Sequence, residues 1–174
     1  DRPDLHDYLT DLKQAGYYLI VVANHLEMQV GNEIRDLADA LIFRENMGRD
    51  FGAYADVARA LYHIGANKLE RVIFANDSMY YLRRTPYLFN RLIEESKDYA
   101  AMSATETKDT FFCHAYLFQF SGSLFRDRRI ARYFSRYLPI SSARFAVMRG
   151  EIGLSRLVTN RLGRQPVLYF SHSM

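Results

Sequence analysis

Two short segments of this 174-residue chain carry residue types suited to phosphate and metal chemistry. The apolar run Val72-Ile-Phe-Ala75 leads directly into Asn76-Asp77-Ser78, which places a carboxylate at the lip of a sheet. A hard divalent cation carrying phosphate oxygens takes one or two carboxylates and keeps several waters. Asp77 suits that task, and Asn76 and Ser78 can fix its orientation or contact a ribose. The same triplet also makes an ordinary turn, and the pattern leaves both readings open. The second segment runs from Arg44 to Tyr54. Asn46 and Gly48 can take backbone angles that most residues avoid, which allows a tight passage from strand to helix. Arg49 and Asp50 then stand at the helix entrance, where free N–H groups and the helix dipole favour anions. Asp50 is equally a good N-cap, and one of its oxygens can cap while the other faces a ligand.

Other spellings fail on their own requirements. Asp50-Phe51-Gly52 matches the metal-binding triplet of protein kinases, but no Gly-rich phosphate loop or His-Arg-Asp loop precedes it. His6, His25, His63, His114 and His172 lack the paired spacing of a zinc site, and Cys113-His114 is adjacent rather than spaced. No Gly-x-Ser-x-Gly elbow occurs.

The elements that must hold these residues read as short β runs alternating with helices. Strands are expected over 17–23, an apolar run suited to having both faces covered, over the similar runs 40–43 and 71–75, and over two further candidates, 116–120 and 167–170. Helices are expected over 5–14, after Asp50 with Tyr54, Val57, Ala58, Leu61 and Ile64 inward, and after Thr85-Pro86 with Leu88, Phe89, Leu92 and Ile93 inward. A further helix over 124–138 sets Leu124, Ala131, Phe134 and Leu138 against Arg128, Arg129, Arg132 and Arg136. A last one ends at Gly163. This alternation predicts an α/β fold, a mostly parallel sheet flanked by helices in one domain spanning 1–174. Ligands of such sheets sit beyond the carboxyl ends of the strands, where both segments lie.

Composition narrows the class. Half the chain is hydrophobic (49%) and a quarter charged (25%), as in an ordinary globular domain. The lone Cys113 permits no internal disulfide framework. The longest apolar run is far below the ~20 residues of a membrane span, and Asp1, Asp4, Asp7 and Asp11 crowd a start that reads as no signal peptide. The reading therefore expects a cytoplasmic protein. The net charge of +3 conceals a division. Residues 1–120 carry 13 basic and 18 acidic groups, and 121–174 carry ten Arg against Asp127 and Glu151. Arginine suits flat, bidentate recognition of phosphate or carboxylate. The last third is thus expected to meet a diphosphate, nucleic acid or an anionic membrane surface at the inner face of the cell membrane. A nucleic-acid role would use the Arg face of 126–136 with Tyr133 and Tyr137 interleaved. It is disfavoured by the acidic first two thirds and by the lack of any DNA- or RNA-binding motif.

Four blocks occur in a familiar order: Arg44-Glu-Asn-Met-Gly-Arg-Asp-Phe-Gly-Ala-Tyr54, Asn76-Asp-Ser-Met-Tyr80, Ala115-Tyr-Leu-Phe-Gln-Phe120 and Glu151-Ile-Gly-Leu-Ser155. The chain resembles the rhamnan synthesis protein F family from about residue 8 to 170. Its most specific block is the first, and Asn-Asp-Ser is its functional signature. Those proteins resemble GT-A (Rossmann-related) glycosyltransferases that build bacterial surface polysaccharides, typically moving rhamnose from a nucleotide-sugar donor to a glycan or lipid-linked glycan acceptor. The resemblance implies that Asp77 is the metal carboxylate for Mg²⁺ or Mn²⁺. Asn46, Arg49 and Asp50 would line the donor pocket, with Asn76 and Ser78 beside the metal. Glu151 would be the catalytic base of an inverting displacement and His114 its reserve. Glu151 could instead pair with Arg149 or cap the last helix. Three departures accompany the likeness. Tyr81-Leu82 stands where the family has Gly-Pro. Cys113-His-Ala-Tyr-Leu-Phe118 replaces a His-Leu-Gln-Ser-Tyr-Phe run, which puts His114 near the Gln position. The chain opens on a helix where a GT-A domain begins with the strand that cradles the base, so a fragment of a larger protein lacking that strand is expected. The rival expectation is a non-catalytic domain that binds a nucleotide-sugar or glycan, or scaffolds a larger synthase.

Overall fold

A computed structural model describes residues 2–24 and 31–170; Asp1, His25 and His172, named above, lie outside the described residues. The helices are α1 (Pro3–Gln14), α2 (Asn32–Leu37), α3 (Arg49–Ile64), α4 (Pro86–Glu94), α5 (Gly122–Phe125), α6 (Arg128–Ser135), α7 (Ala143–Phe145) and α8 (Ile152–Arg156). The strands are β1 (Ile20–Ala23), β2 (Ala40–Phe43), β3 (Arg71–Ala75), β4 (Tyr99–Ala101), β5 (Ala104–Glu106), β6 (Phe111–Cys113), β7 (Leu117–Ser121) and β8 (Val167–Leu168). Wider π-helical turns, Ala146–Glu151 and Leu157–Arg161, flank α8. The chain is mixed α/β and packs as two compact units, Asp1–Asn46 with Asp77–Glu95, and Met47–Asn76 with Ser96–Met174.

In the first unit β1 and β2 pair in parallel, Ile20 opposite Ala40. α1 packs on α2 and α4. Thr85 is the N-cap of α4, with Pro86 in its first turn as expected. Leu88, Phe89 and Leu92 turn inward, whereas Ile93 at the end of that helix is exposed.

The second unit is built on a four-stranded sheet of order β3-β7-β4-β8. The expectation of a mostly parallel sheet is corrected here: β7 runs antiparallel to both β3 and β4, and only β4–β8 is parallel. The cause is the β5–β6 hairpin between β4 and β7. It returns the chain without a crossover helix, and an antiparallel neighbour needs none. On this sheet lies an aromatic core. Phe74 stacks on Phe118 (4.9 Å between ring centroids) and on Phe134 (5.3 Å), and Phe51, Tyr54, Phe120 and Phe125 are buried with them. Such pairs contribute about 0.5–1.5 kcal/mol each beyond the area they bury. Two expected stripes end early, since Ile64 and Leu138 face solvent. The expected helix 124–138 is two helices because Asp127 caps α6, its carboxylate accepting the Arg129 N–H at 2.7 Å. Gly163 takes a left-handed φ of 67°, which suits its expected place beyond the last helix.

Candidate functional site

The passage from Met47 into α3 is the most constrained turn in the second unit. Gly48 is the N-cap of α3, with φ 76°, and its N–H donates to Ser141 Oγ at 3.0 Å. Arg49 follows with φ 53°, the one non-glycine residue among those described with positive φ. A left-handed arginine costs of order 1 kcal/mol and persists only where its surroundings hold it there. Asn46, expected to share the unusual angles, does not. Asp50 is not the cap. It sits in the first turn of α3, where its negative charge suits the helix dipole, and its Oδ2 accepts Asn76 Nδ2–H at 2.8 Å.

That bond begins a connected run. Asn76, just past β3, also donates its backbone N–H to the Tyr116 carbonyl at 3.2 Å. Tyr116 belongs to the turn between β6 and β7, and the Ala115 peptide beside it is held from both sides. Ala115 N–H donates to Glu151 Oε1 at 2.8 Å, and Tyr54 OH donates to the Ala115 carbonyl at 2.9 Å. Glu151 stands at the N-cap position of α8, but its side chain makes no cap hydrogen bond there; it fixes this turn instead. His114, in the same turn, lies half-buried with Nε2 3.1 Å from Thr105 Oγ1. Its ring stacks on Tyr116 at 5.4 Å and 8°, and the Tyr116 hydroxyl is hydrogen-bonded to the buried Ser103.

Four of the expected site residues, Asp50, Asn76, His114 and Glu151, are thus gathered in one unit by the 114–116 turn. Arg49 stands exposed at the head of α3 in the same unit. Asn46, Asp77 and Ser78 belong to the other unit. Sequence reasoning missed Tyr54, Ser103, Thr105 and Tyr116. Tyr54 lies in phase with a core stripe, and nothing local distinguishes its hydroxyl from a buried ring's idle tip. Glu151 provides a direct check of the turn. Glu151→Ala leaves the nearly buried Ala115 N–H without its acceptor and is expected to cost about 1–2 kcal/mol, whereas Glu151→Gln keeps an oxygen there and costs little. Urea melts of the two variants compare them, and equal losses would mean the carbonyl oxygen does not replace the carboxylate.

In the first unit the segment after Asn76 is fastened to α1. Arg2 donates to the carbonyls of Asp77 (3.0 Å) and Met79 (2.8 Å) while paired with Asp4. Asp4 accepts the Tyr81 N–H at 3.0 Å. Asp11, fully buried, accepts Tyr81 OH at 2.6 Å and Arg84 Nε–H at 2.9 Å. Tyr81 is therefore a latch between the 77–85 segment and α1. Asp77 is exposed, and its carbonyl accepts from Arg2. Among the described residues no group of three or more His, Cys, Asp or Glu is placed to hold a metal ion. A cation shared between one carboxylate and a donor's own phosphates needs no such group, and the exposed Asp77 fits that mode.

The latch is acid-sensitive. The Arg2 hydrogen bond holds the Asp4 carboxyl down at about 2. Burial pushes the Asp11 carboxyl up, but the hydrogen bonds from Arg84 and Tyr81 and the Arg84 charge outweigh it, and the net shift is down. Folded values below the ordinary ~3.9 mean that this stability is complete above it and is lost as pH falls from about 4 towards about 2. Melting temperatures measured from about pH 6 down should fall over that interval, and Asp11→Asn should flatten part of the fall. An unchanged slope in the variant would remove Asp11 from the acid transition.

Over 111 residues the chain is 29% identical to two curated sequences named Virulence protein VirA, both from Vibrio anguillarum, one of them strain ATCC 68554 / 775. The match covers 63% of this chain and 35% of each relative, so the chain spans about a third of the length of the relatives it matches. No family model matches the chain. No solved structure matches it. Among the described residues no helix is long and apolar enough to cross a membrane.

Proposed function

We propose that this chain is a GT-A-like glycosyltransferase domain that takes a nucleotide-sugar donor and serves bacterial surface-polysaccharide synthesis, as its resemblance to the rhamnan synthesis protein F family implies. One observation carries the reading. The hydrogen-bonded run Asp50–Asn76–Tyr116, continued through the Ala115 peptide to Glu151, takes one member from each of the four sequence blocks. Blocks spread over a hundred residues of chain meet around one turn, which supports the reading.

In this reading Asp77 holds Mg²⁺ or Mn²⁺, which when bound neutralises charge on the departing diphosphate. Asp50 and Asn76 orient each other toward the donor, and Arg49 offers its guanidinium to donor oxygens. The acceptor hydroxyl displaces the nucleoside diphosphate with inversion. Glu151, whose Oε1 is fixed by Ala115 N–H, takes the hydroxyl proton on its other oxygen, with His114 as the second candidate. Rhamnose is the expected sugar, a glycan or lipid-linked glycan the acceptor, and the cytoplasmic face of the membrane the place of work. A second reading, a domain that binds donor or glycan without turnover, draws on the same geometry, because Asp50 and Glu151 are each engaged in holding backbone or side-chain neighbours.

Thermal unfolding with UDP-, GDP- and dTDP-sugars, with and without Mg²⁺ or Mn²⁺, tests both. A donor at about 100 times its Kd should stabilise the fold by about 2.7 kcal/mol, or roughly 5–11 °C for a chain of this size. Metal-dependent donor hydrolysis or transfer then selects the enzyme over the binding domain. If no nucleotide-sugar moves the melting temperature, donor binding is wrong.

A further inference from the structure

Between α6 and α8 the chain exposes apolar residues that its core does not need. Leu138 is 60% exposed, Ile140 43%, Val147 39% and Met148 49%. They are displayed on a firm base. The turn is closed by Ile140 N–H to the Leu138 carbonyl (2.8 Å) and Ser142 N–H to the Ile140 carbonyl (2.9 Å), and Ser142 caps α7 through the Phe145 N–H. Beneath it the Phe145 ring packs on Tyr137 (5.8 Å), and Tyr133 OH donates to the Arg149 carbonyl at 2.7 Å. On the helical segment Arg144, Val147 and Met148 follow i, i+3, i+4 spacing and share the outward face, while Gly150 abuts the Phe51 ring on the inner side.

Along the chain the segment is basic between Asp127 and Glu151. From Arg128 to Arg149 the chain carries six arginines and no acidic residue, and Arg144 and Arg149 are exposed beside the apolar side chains. Apolar residues rimmed by arginine on one face match the two layers of an anionic bilayer surface, headgroup phosphates outside and acyl chains beneath. A nucleic acid would use the charge but not the apolar tips, and the Tyr137 ring that could have stacked on bases is buried in the core. We propose that the segment around Leu138, Ile140, Val147 and Met148 docks the protein on an anionic lipid bilayer, with Arg144 and Arg149 on the headgroups. This surface is argued independently of the glycosyltransferase reading.

Co-sedimentation with vesicles tests it. The chain should partition onto phosphatidylcholine vesicles containing about 30% phosphatidylglycerol and not onto phosphatidylcholine alone, with binding falling as salt rises from about 0.1 to about 0.5 M. Losing one arginine contact at an anionic surface is worth on the order of fivefold in affinity. Arg144→Glu with Arg149→Glu should therefore lower the partition well over tenfold, and Val147→Glu with Met148→Glu should do likewise, both with unchanged melting temperature. Absence of wild-type binding, equal binding to neutral vesicles, or insensitivity to both double substitutions overturns the proposal. So does a concentration-dependent dimer in sedimentation velocity that either double substitution abolishes, since the patch would then belong to a second copy. Nucleotide-dependent stabilisation is unaffected by any of these outcomes, so the two proposals fail separately.

Discussion

Gly48→Ala is expected to lower stability by about 3 kcal/mol, a fall in melting temperature of roughly 6–12 °C. Two costs add at this position. The left-handed φ of 76° is free for glycine and costs an alanine about 1–2 kcal/mol. A Cβ there would also overlap the backbone of Pro139, with Pro139 C only 2.9 Å away, and backbone cannot swing aside as a side-chain tip can. Forced overlap of this kind costs about 1–3 kcal/mol. Gly163→Ala separates the two. Gly163 has a similar φ of 67° but open space where its Cβ would go, so it should lose only the conformational part. If Gly48→Ala costs no more than Gly163→Ala, the approach of the 139–141 turn to the head of α3 is looser than described. On the proposed reading the substitution should also weaken nucleotide-sugar binding, because the same turn sets the direction of Arg49 and Asp50.

Asp77→Ala is expected to abolish the metal-dependent part of nucleotide-sugar stabilisation while leaving the unliganded melting temperature nearly unchanged. On the proposed reading the functional loss would be large, because a cation held by one protein carboxylate would have no second protein ligand to fall back on. At about 100 times Kd this removes up to about 2.7 kcal/mol of stabilisation and, in a transfer assay, the bulk of turnover. The structural cost is small because the 77–85 segment is held through the Asp77 and Met79 carbonyls, Asp4 and Asp11, none of which the substitution touches. Metal-dependent stabilisation that survives in the variant would move the cation away from Asp77. A large drop in the unliganded melting temperature would make Asp77 a structural residue of its turn instead. Both are read from the same melts.

Apolar runs and some helix starts were legible, although the expected Asp50 cap was not the cap. β2 and β3 match the expected spans, but the expected covering of both faces fails at β2, where Ile42 and Phe43 are exposed because β2 pairs only with β1 in a two-stranded sheet. α4 follows Thr85-Pro86, and Gly48 supplies the unusual angle expected of it. The three-residue strands β4, β5 and β6 were not legible. Tyr99-Ala-Ala101 has no period to read, and its strand state comes from pairing with β7 and β8. Leu138 looked like a core residue because helical phase was carried across Asp127 and on past the end of α6 at Ser135, where the backbone had already turned.

The candidate site divides along the same line. Residue types are local facts: Asp50, Asn76 and Asp77 stand out as candidates at element ends, and His114 and Glu151 enter as candidates only through the family resemblance. Which of them meet is a long-range fact. Asp50 and Asn76 are 26 positions apart, and Ala115 and Glu151 are 36 apart; no spacing rule reaches that far. The antiparallel return through β5 and β6 decides where the 114–116 turn falls, and the aromatic core decides how α3 and the π-helical turn at Glu151 lie beside it. Periodicity and capping act through neighbours within a turn or two and are written in the chain. Register between distant segments depends on which packing buries the most ring surface, and only the folded protein settles that.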